Sequence, residues 1–336
     1  MDKSRNPLIR AMVFLALFIW ILVCLVPFAW AILNSIKYPI DANMPVPEFW
    51  GFPTTGSNYS DLWLYMPAAQ FMPIGLGILA VIFLLCLFYF VNRWRNFVSK
   101  TASGIVIIVV LVAMALLIPS VAKVSKFYDY FINSVIVTCG TLIISIGIGC
   151  LGGYGLARYS GIWGVIILVA ALAFRALPRM AFVLPYFYLA QATKLYDTHF
   201  ILIITLVAIN QPFTIWMLRS FFMDIPRELE EAAMIDGAGR LRSFVQVILP
   251  IAVPGIVTTS LFTMLLSYNE FLLPRVLMQA HLTMPVAIAS YTSGEDASYR
   301  TIAAAAAVSI TLPIMVIISI FQKHLVKGLA QGAVKG

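Results

Sequence analysis

The stretch EEAAMIDGAGRLRSFVQVILPIAVPGI, Glu230 to Ile256, interrupts a chain in which only 11% of residues are charged. Five of its first thirteen residues are ionisable, Gly237 stands where a helix would otherwise continue, and Pro250 and Pro254 precede the next apolar run. Apolar runs at about 199–218 and 250–273 flank it. A polar helix–turn–helix between two such runs reads as a loop outside lipid that joins two helices inside it.

The rest of the chain agrees with a lipid setting. Of its 336 residues 62% are hydrophobic and the mean hydropathy is +0.96, against roughly 45–50% apolar residues in soluble domains. A helix crosses a bilayer core with roughly 20 mostly apolar residues. Runs of that kind occur at about 11–33, 73–91, 104–122, 131–156, 162–190, 199–218, 250–273 and 301–322. The expected fold is therefore an all-α polytopic membrane protein with about eight transmembrane helices, leaving no room for a sizeable soluble domain. The first run follows MDKSRNPLIR and stays uncharged from Ala11 to Leu33. It exceeds the apolar core of a cleaved signal peptide and reads as an uncleaved first span. Cys24, Cys86, Cys139 and Cys150 all fall inside apolar runs, which suggests buried small side chains rather than disulfides or a zinc site.

The net charge of +8 invites a nucleic-acid reading, but its distribution is topological. With the N-terminus in the cytoplasm, fourteen Lys and Arg residues fall on the inside, six on the outside, and Arg175 and Arg179 within a span. That bias follows the positive-inside rule. It places both termini in the cytoplasm and leaves no nucleic-acid patch. The longest outside loop, Asn34–Met72, contains MPVPEFWGFP and reads as an ordered surface loop. Asn58 heads an NYS sequon, meaningful only in a eukaryotic secretory setting.

Several motifs carry no chemistry here. Gly147, Gly149 and Gly152 spell G-x-G-x-x-G, but inside an apolar run rather than a strand–turn–helix. Gly149 and Gly153 instead form a small-xxx-small pair suited to close helix packing. The sequence has no P-loop signature, and His199, His281 and His324 lack metal-ligand spacing. No metal site or covalent active site is expected.

In the polar elbow, Pro226 and the acids after it suit a helix start with its partial positive charge. Gly237 suits the left-handed residue that ends a helix, and a second helix is expected from about Arg240. Taken alone, an Ala-Ala patch flanked by acids fits either a plug for a socket on another protein or a helix lying at the membrane interface.

Resemblance separates these readings. Glu231-Ala232-Ala233, three residues, Gly237, nine residues, then Val247-Ile248-Leu249-Pro250 resembles the EAA loop of permease subunits in bacterial ABC importers, E-A-A-x3-G-x9-I-x-L-P, with valine at the first isoleucine. RALPRMAFVLPYFYLA at Arg175–Ala190, YNEF at Tyr268–Phe271 and the C-terminal LVKGLAQGAVKG are similar to MalG-type permeases of carbohydrate importers. The similarity covers about 131–336 and the first span. Over about 34–130 the chain departs from the six-span pattern through an outside loop and an inserted helix pair.

The resemblance implies that Glu230, Glu231, Ala232, Ala233, Asp236, Gly237, Leu249 and Pro250, within a coupling loop at about 219–250, engage a cytoplasmic ATPase. It further implies a second homologous permease subunit, two ABC ATPase subunits holding ATP and Mg, and an extracytoplasmic solute-binding protein. The setting would be the bacterial cytoplasmic membrane, the cargo a carbohydrate, and this chain would bind no cofactor and catalyse nothing itself.

Arg175, Arg179, Asn269 and Glu270 form the second group of candidates. An arginine at bilayer depth is costly and usually faces a cavity or a partner. The two arginines could line the translocation path, or pair with Glu270 or with carbonyls freed by Pro178 and Pro185. Asn269 and Glu270 could contact solute hydroxyls or cap a helix. A secondary transporter using Arg175, Arg179 and Glu270 as its own ion site is the competing functional class.

The inserted pair generates a topological prediction. Arg93, Arg95 and Lys100 lie between its two apolar runs, so a cysteine introduced at Ser99 should be shielded from impermeant thiol reagents in intact cells. Ready labelling from outside would contradict the topology.

Overall fold

The computed structural model describes residues 7–46, 48–64, 123–159, 161–175, 177–292 and 297–333, with scattered residues between 77 and 119. Every regular element among them is helical. Among the described residues five helices are long and apolar enough to cross a membrane, or six if a bent pair is counted as one span. These correspond to six of the eight expected runs; the other two, 73–91 and 104–122, lie largely outside the described residues. The chain divides into two compact units, one of Met1–Tyr128 with Ile288–Ser309, the other of Asp129–Ala287 with Ile310–Gly336.

In the first unit, α1 (Pro7–Ser35) leads into two short helices, α2 (Pro39–Ala42) and α3 (Ser57–Trp63). α1 turns Phe14, Trp20 and most of its other apolar side chains outward, as a helix solvated by lipid tails does. The loop after it is built around a buried cation. Lys37 is 1% exposed, lies 4.9 Å from the Trp30 ring centroid and 4.5 Å from that of Phe52, and donates to the Glu48 carbonyl. Asn58 is buried too, its amide donating to the Ser35 and Lys37 carbonyls at 2.9 and 2.8 Å. The sequon asparagine is thus a structural clamp, closed to glycan attachment.

The second unit is organised around α7 (His199–Met223). Against it pack α4 (Lys126–Arg158), α5 (Ile162–Arg175) and α9 (Arg240–Tyr268). The helices that follow are α10 (Leu272–Leu277), α11 (Met284–Thr292) and α12 (Ala297–Ala333), of which residues 288–309 belong to the first unit. In hydrocarbon nothing drives apolar surfaces together, so close packing and internal hydrogen bonds do the work. Thr205, Thr214, Thr258, Thr259 and Thr263 are all fully buried in α7 and α9. Thr205, Thr258 and Thr259 each hydrogen-bond the carbonyl four residues back, while the Thr214 and Thr263 hydroxyls meet at 3.1 Å across the pair.

Two departures from the expected spans have proline at their origin. The run 162–190 is a bent helix pair: α5 ends at Arg175, α6 (Met180–Ala192) begins after Pro178, and the two are bent by 92°. Proline lacks the N–H that would continue the ladder and disfavours helical backbone in the residue before it. Arg175 and Arg179 therefore flank a corner rather than sit one turn apart in a continuous helix. Pro250, at the head of the apolar run, lies inside the continuous α9 rather than at a helix start. A π-helical turn, Phe244–Ile248, precedes it, with the Leu249 N–H donating to the Phe244 carbonyl five residues back. That wider turn absorbs the proline without ending the helix.

Outside the spans, the Asp197 carboxylate accepts from the backbone N–H groups of Gln279, Ala280 and His281 at 2.8–3.2 Å. Partial burial works to raise its pKa, but these donors outweigh it and hold the carboxyl below its ordinary value.

Gly149 and Gly153 face α7. A Cβ at Gly153 would lie 3.0 Å from the Arg219 backbone nitrogen and 3.0 Å from the Leu218 Cβ, whereas one at Gly147 would meet nothing within 4 Å. Gly153→Val should therefore destabilise the detergent-solubilised chain by about 1–3 kcal/mol, read as a lower unfolding temperature, with Gly147→Val as the tolerated control. Equal effects would contradict the packing.

Candidate functional site

The polar elbow folds as the short helix α8 (Glu228–Ile235), with Glu228, Glu230 and Glu231 in its first turn. Acids there complement the unsatisfied N–H groups of a helix start. At the other end Gly237 adopts φ +88°. The Gly237 N–H donates to the Met234 carbonyl at 3.1 Å and the Ala238 N–H to the Ala233 carbonyl at 3.0 Å, the paired bonds of a Schellman turn. α8 has no fully buried residue. Ala232, Glu231 and Asp236 are exposed, Ile235 is 86% exposed, and the nearby Leu241 is 72% exposed. An acid-rimmed apolar knob thus projects from the elbow.

The remaining candidates separate from that knob. Leu249 packs against a buried cluster that includes Phe222, Phe244 and Ile248, and Pro250 follows the π-turn, so both shape the foot of α9. Glu230 turns inward. Its Oε2 accepts from the Tyr154 hydroxyl at 2.9 Å and its Oε1 from the Arg158 Nε at 2.6 Å, with an ion pair to the second guanidinium branch. Tyr154 and Arg158 escaped the sequence reading. Their only local signal is one arginine closing a span, four residues after a tyrosine, and nothing local says which acid it meets.

The second group of candidates converges. Arg175, Arg179, Asn269 and Glu270 all line one cavity of about 620 Å³, beside Phe213 and Phe262. The Glu270 side chain is 3% exposed and forms an ion pair with Arg179, while its Oε1 accepts from the Leu272 N–H at 3.1 Å and so caps α10. The Arg175 guanidinium lies 4.6 Å from the Phe213 ring centroid, a cation–π distance. Asn269 donates to the Leu265 carbonyl at 3.0 Å, inside its own helix end. Arg179 pairs with Glu270, Arg175 lies over a ring, Glu270 and Asn269 hydrogen-bond at helix ends, and the same side chains border a cavity. Among the described residues no group of three or more His, Cys, Asp or Glu side chains is arranged to hold a metal ion.

The family described as "Binding-protein-dependent transport system inner membrane component" matches residues 145–331. The trehalose transport system permease protein SugB of Mycobacterium tuberculosis is 37% identical over 213 residues, which is 62% of this chain and 78% of that protein. The diacetylchitobiose uptake system permease protein NgcG of Streptomyces coelicolor is 36% identical over 207 residues, 60% of this chain and 68% of that protein. A chain from the crystal structure of a bacterial ABC transporter involved in the import of the acidic polysaccharide alginate superposes with a TM-score of 0.65 at 18% identity, over 96% of this chain and 98% of that one. That last likeness concerns the fold.

The cavity geometry makes a stability prediction. Arg179→Gln leaves the buried Glu270 carboxylate without its counter-ion. Because Arg179 is 42% exposed, the cost should fall between a surface and a fully buried pair, about 2 kcal/mol. Adding Glu270→Gln should recover most of the lost unfolding temperature in detergent. A double variant no more stable than the single would contradict the pairing.

Proposed function

The chain belongs to the family of binding-protein-dependent transport system inner membrane components, and from that premise we propose that it is the permease subunit of an ATP-binding-cassette importer carrying a carbohydrate. It is a multi-pass inner-membrane protein, and both termini lie in the cytoplasm in this reading. The observation that carries the proposal is α8, an apolar knob with acids at both ends, held at a fixed angle by the Gly237 turn. α8 presents Ile235 outward, where a socket on a partner can receive it.

In this reading α8 seats in a cytoplasmic ATPase subunit, with Glu231 meeting a basic group there and Ala232 and Ala233 allowing close approach. A second, homologous permease supplies the other coupling loop, and an extracytoplasmic solute-binding protein delivers the cargo. ATP and Mg are held by two ATPase subunits, and this chain binds no cofactor. The carbohydrate assignment is supported by relatives named for trehalose and diacetylchitobiose. The cavity bordered by Arg175, Arg179, Asn269 and Glu270 suits a polar, hydroxyl-rich path, and the aromatic rings beside it suit sugar faces. The competing class, a secondary transporter with its own ion site, is weakened because Glu270 is already paired with Arg179 and capping α10.

Two substitutions test the knob. Glu231→Lys puts a positive charge where a basic partner is proposed, and Gly237→Val forces a branched residue into a left-handed backbone. Both variants should reach the membrane at ordinary levels while uptake falls at least tenfold and the ATPase is lost or hydrolyses ATP without uptake. For Glu231→Lys an inert surface helix would give effects within about 0.5 kcal/mol. Unchanged uptake and ATPase co-purification in both variants would remove the support for coupling.

A further inference from the structure

α8 buries no residue of its own, so a force applied to it must enter the membrane part of the chain through a few contacts. The strongest of these converge on one side chain. Arg158 is the last residue of α4, and its guanidinium reaches three places at once. The Nε donates to Glu230 Oε1 on α8 at 2.6 Å, with an ion pair from a second nitrogen to the same oxygen. The Nη1 donates to the Phe222 carbonyl at 3.1 Å and the Nη2 to the Ile225 carbonyl at 3.2 Å. Those two carbonyls belong to the C-terminal end of α7 and the turn after it; that of Phe222 also accepts from the Asp224 and Ile225 N–H groups, so Arg158 binds a turn that is already closed. Arg227, at the start of α8, donates back to the Arg158 carbonyl at 3.2 Å. Tyr154, one turn earlier on α4, holds the other Glu230 oxygen at 2.9 Å, and its ring packs on Phe222 and Phe244 at 5.8 and 4.5 Å between centroids.

The pair is well shielded. The side chains of Arg158 and Glu230 are 16% and 12% exposed, and a guanidinium with several acceptors in a fixed fork is far stiffer than a lone surface contact. Glu230 and Glu231 are thereby divided in labour. Consecutive helix residues point about 100° apart, so Glu231 stays outside on the knob while Glu230 is committed inward.

We infer that Arg158 and Glu230 form the latch that transmits movement of the coupling helix to α4 and α7, making both positioning residues for transport rather than contacts to the ATPase. The inference rests on the proposed docking of α8 to an ATPase. Displacing α8 then drags the ends of two membrane helices with it, whereas without the latch α8 can pivot on the Pro226 and Gly237 turns while still seated in its partner.

The experiment uses the assembled importer in proteoliposomes, on a background with the native cysteines replaced and a reporter cysteine at Leu266, which lines the cavity. Three quantities are read: ATPase co-purification, ATP hydrolysis, and the change in maleimide labelling of the reporter on adding ATP with vanadate. Glu230→Gln and Arg158→Gln should keep the ATPase bound and hydrolysis within about twofold, while the ATP-dependent change in labelling falls at least tenfold. Arg158→Lys, which keeps a charged donor for Glu230 and the carbonyls without the fork, should retain a clear part of that change, and Tyr154→Phe should give an intermediate loss. Full labelling change in Glu230→Gln or Arg158→Gln would overturn the latch, as would an Arg158→Lys variant no better than Arg158→Gln. Loss of the ATPase only in the variants would reassign Glu230 to docking, and failure of every variant to reach the membrane would reassign the contact to folding; both overturn the inference. Absence of any ATPase with the unmodified chain would instead defeat the importer reading on which the latch rests.

Discussion

In hydrocarbon a chain has no water to complete its hydrogen bonds, so each peptide group and each charge must find its partner within the protein. The architecture follows from that requirement. Regular elements among the described residues are helices, since helices close their own ladders. Where proline opens the ladder the chain compensates, by a π-turn before Pro250 and by a sharp corner near Pro178. The threonines buried between α7 and α9 spend their hydroxyls on carbonyls of the same helix or on each other.

Charges within the second unit collect where this rule leaves room for them. At the corner between α5 and α6, Arg179 meets Glu270 and Arg175 lies over Phe213, beside a cavity. At the end of α4, Arg158 gathers Glu230 and the last carbonyls of α7. One cluster borders space that suits a polar solute, and the other joins the elbow to the spans. A binding-protein-dependent membrane component has two tasks of this shape, a path and a point of attachment for its energy source. The proposed carbohydrate importer assigns one cluster to each.

Much of this is legible in the residues because it is local. Hydropathy marks the six spans that fall within the described residues, and Gly237 announces its left-handed turn because few other residues adopt one cheaply. Gly149 and Gly153, one turn apart, signal the close approach of a neighbouring helix. What escaped is tertiary. A proline says that a helix is disturbed but not whether it bends by 92°, as at Pro178, or runs on through a π-turn, as at Pro250. Glu230 and Glu231 are identical in the sequence and differ only in which way the helix turns them. Lys37 counts as a loop cation until Trp30, Phe52 and the Glu48 carbonyl are seen to enclose it. Pairings across 72 residues, such as Arg158 with Glu230, have no local signature.

The central claim is that the exposed face of α8 is covered in the cell by a P-loop ATPase. A photo-crosslinking residue at Ile235, the most exposed large side chain of that helix, tests it in native membranes without knowledge of the cargo. The account predicts one dominant adduct whose peptides contain a P-loop ATPase sequence, lost when Gly237 is replaced by valine. Adducts to lipid alone, or to a protein with no nucleotide-binding sequence, would contradict it.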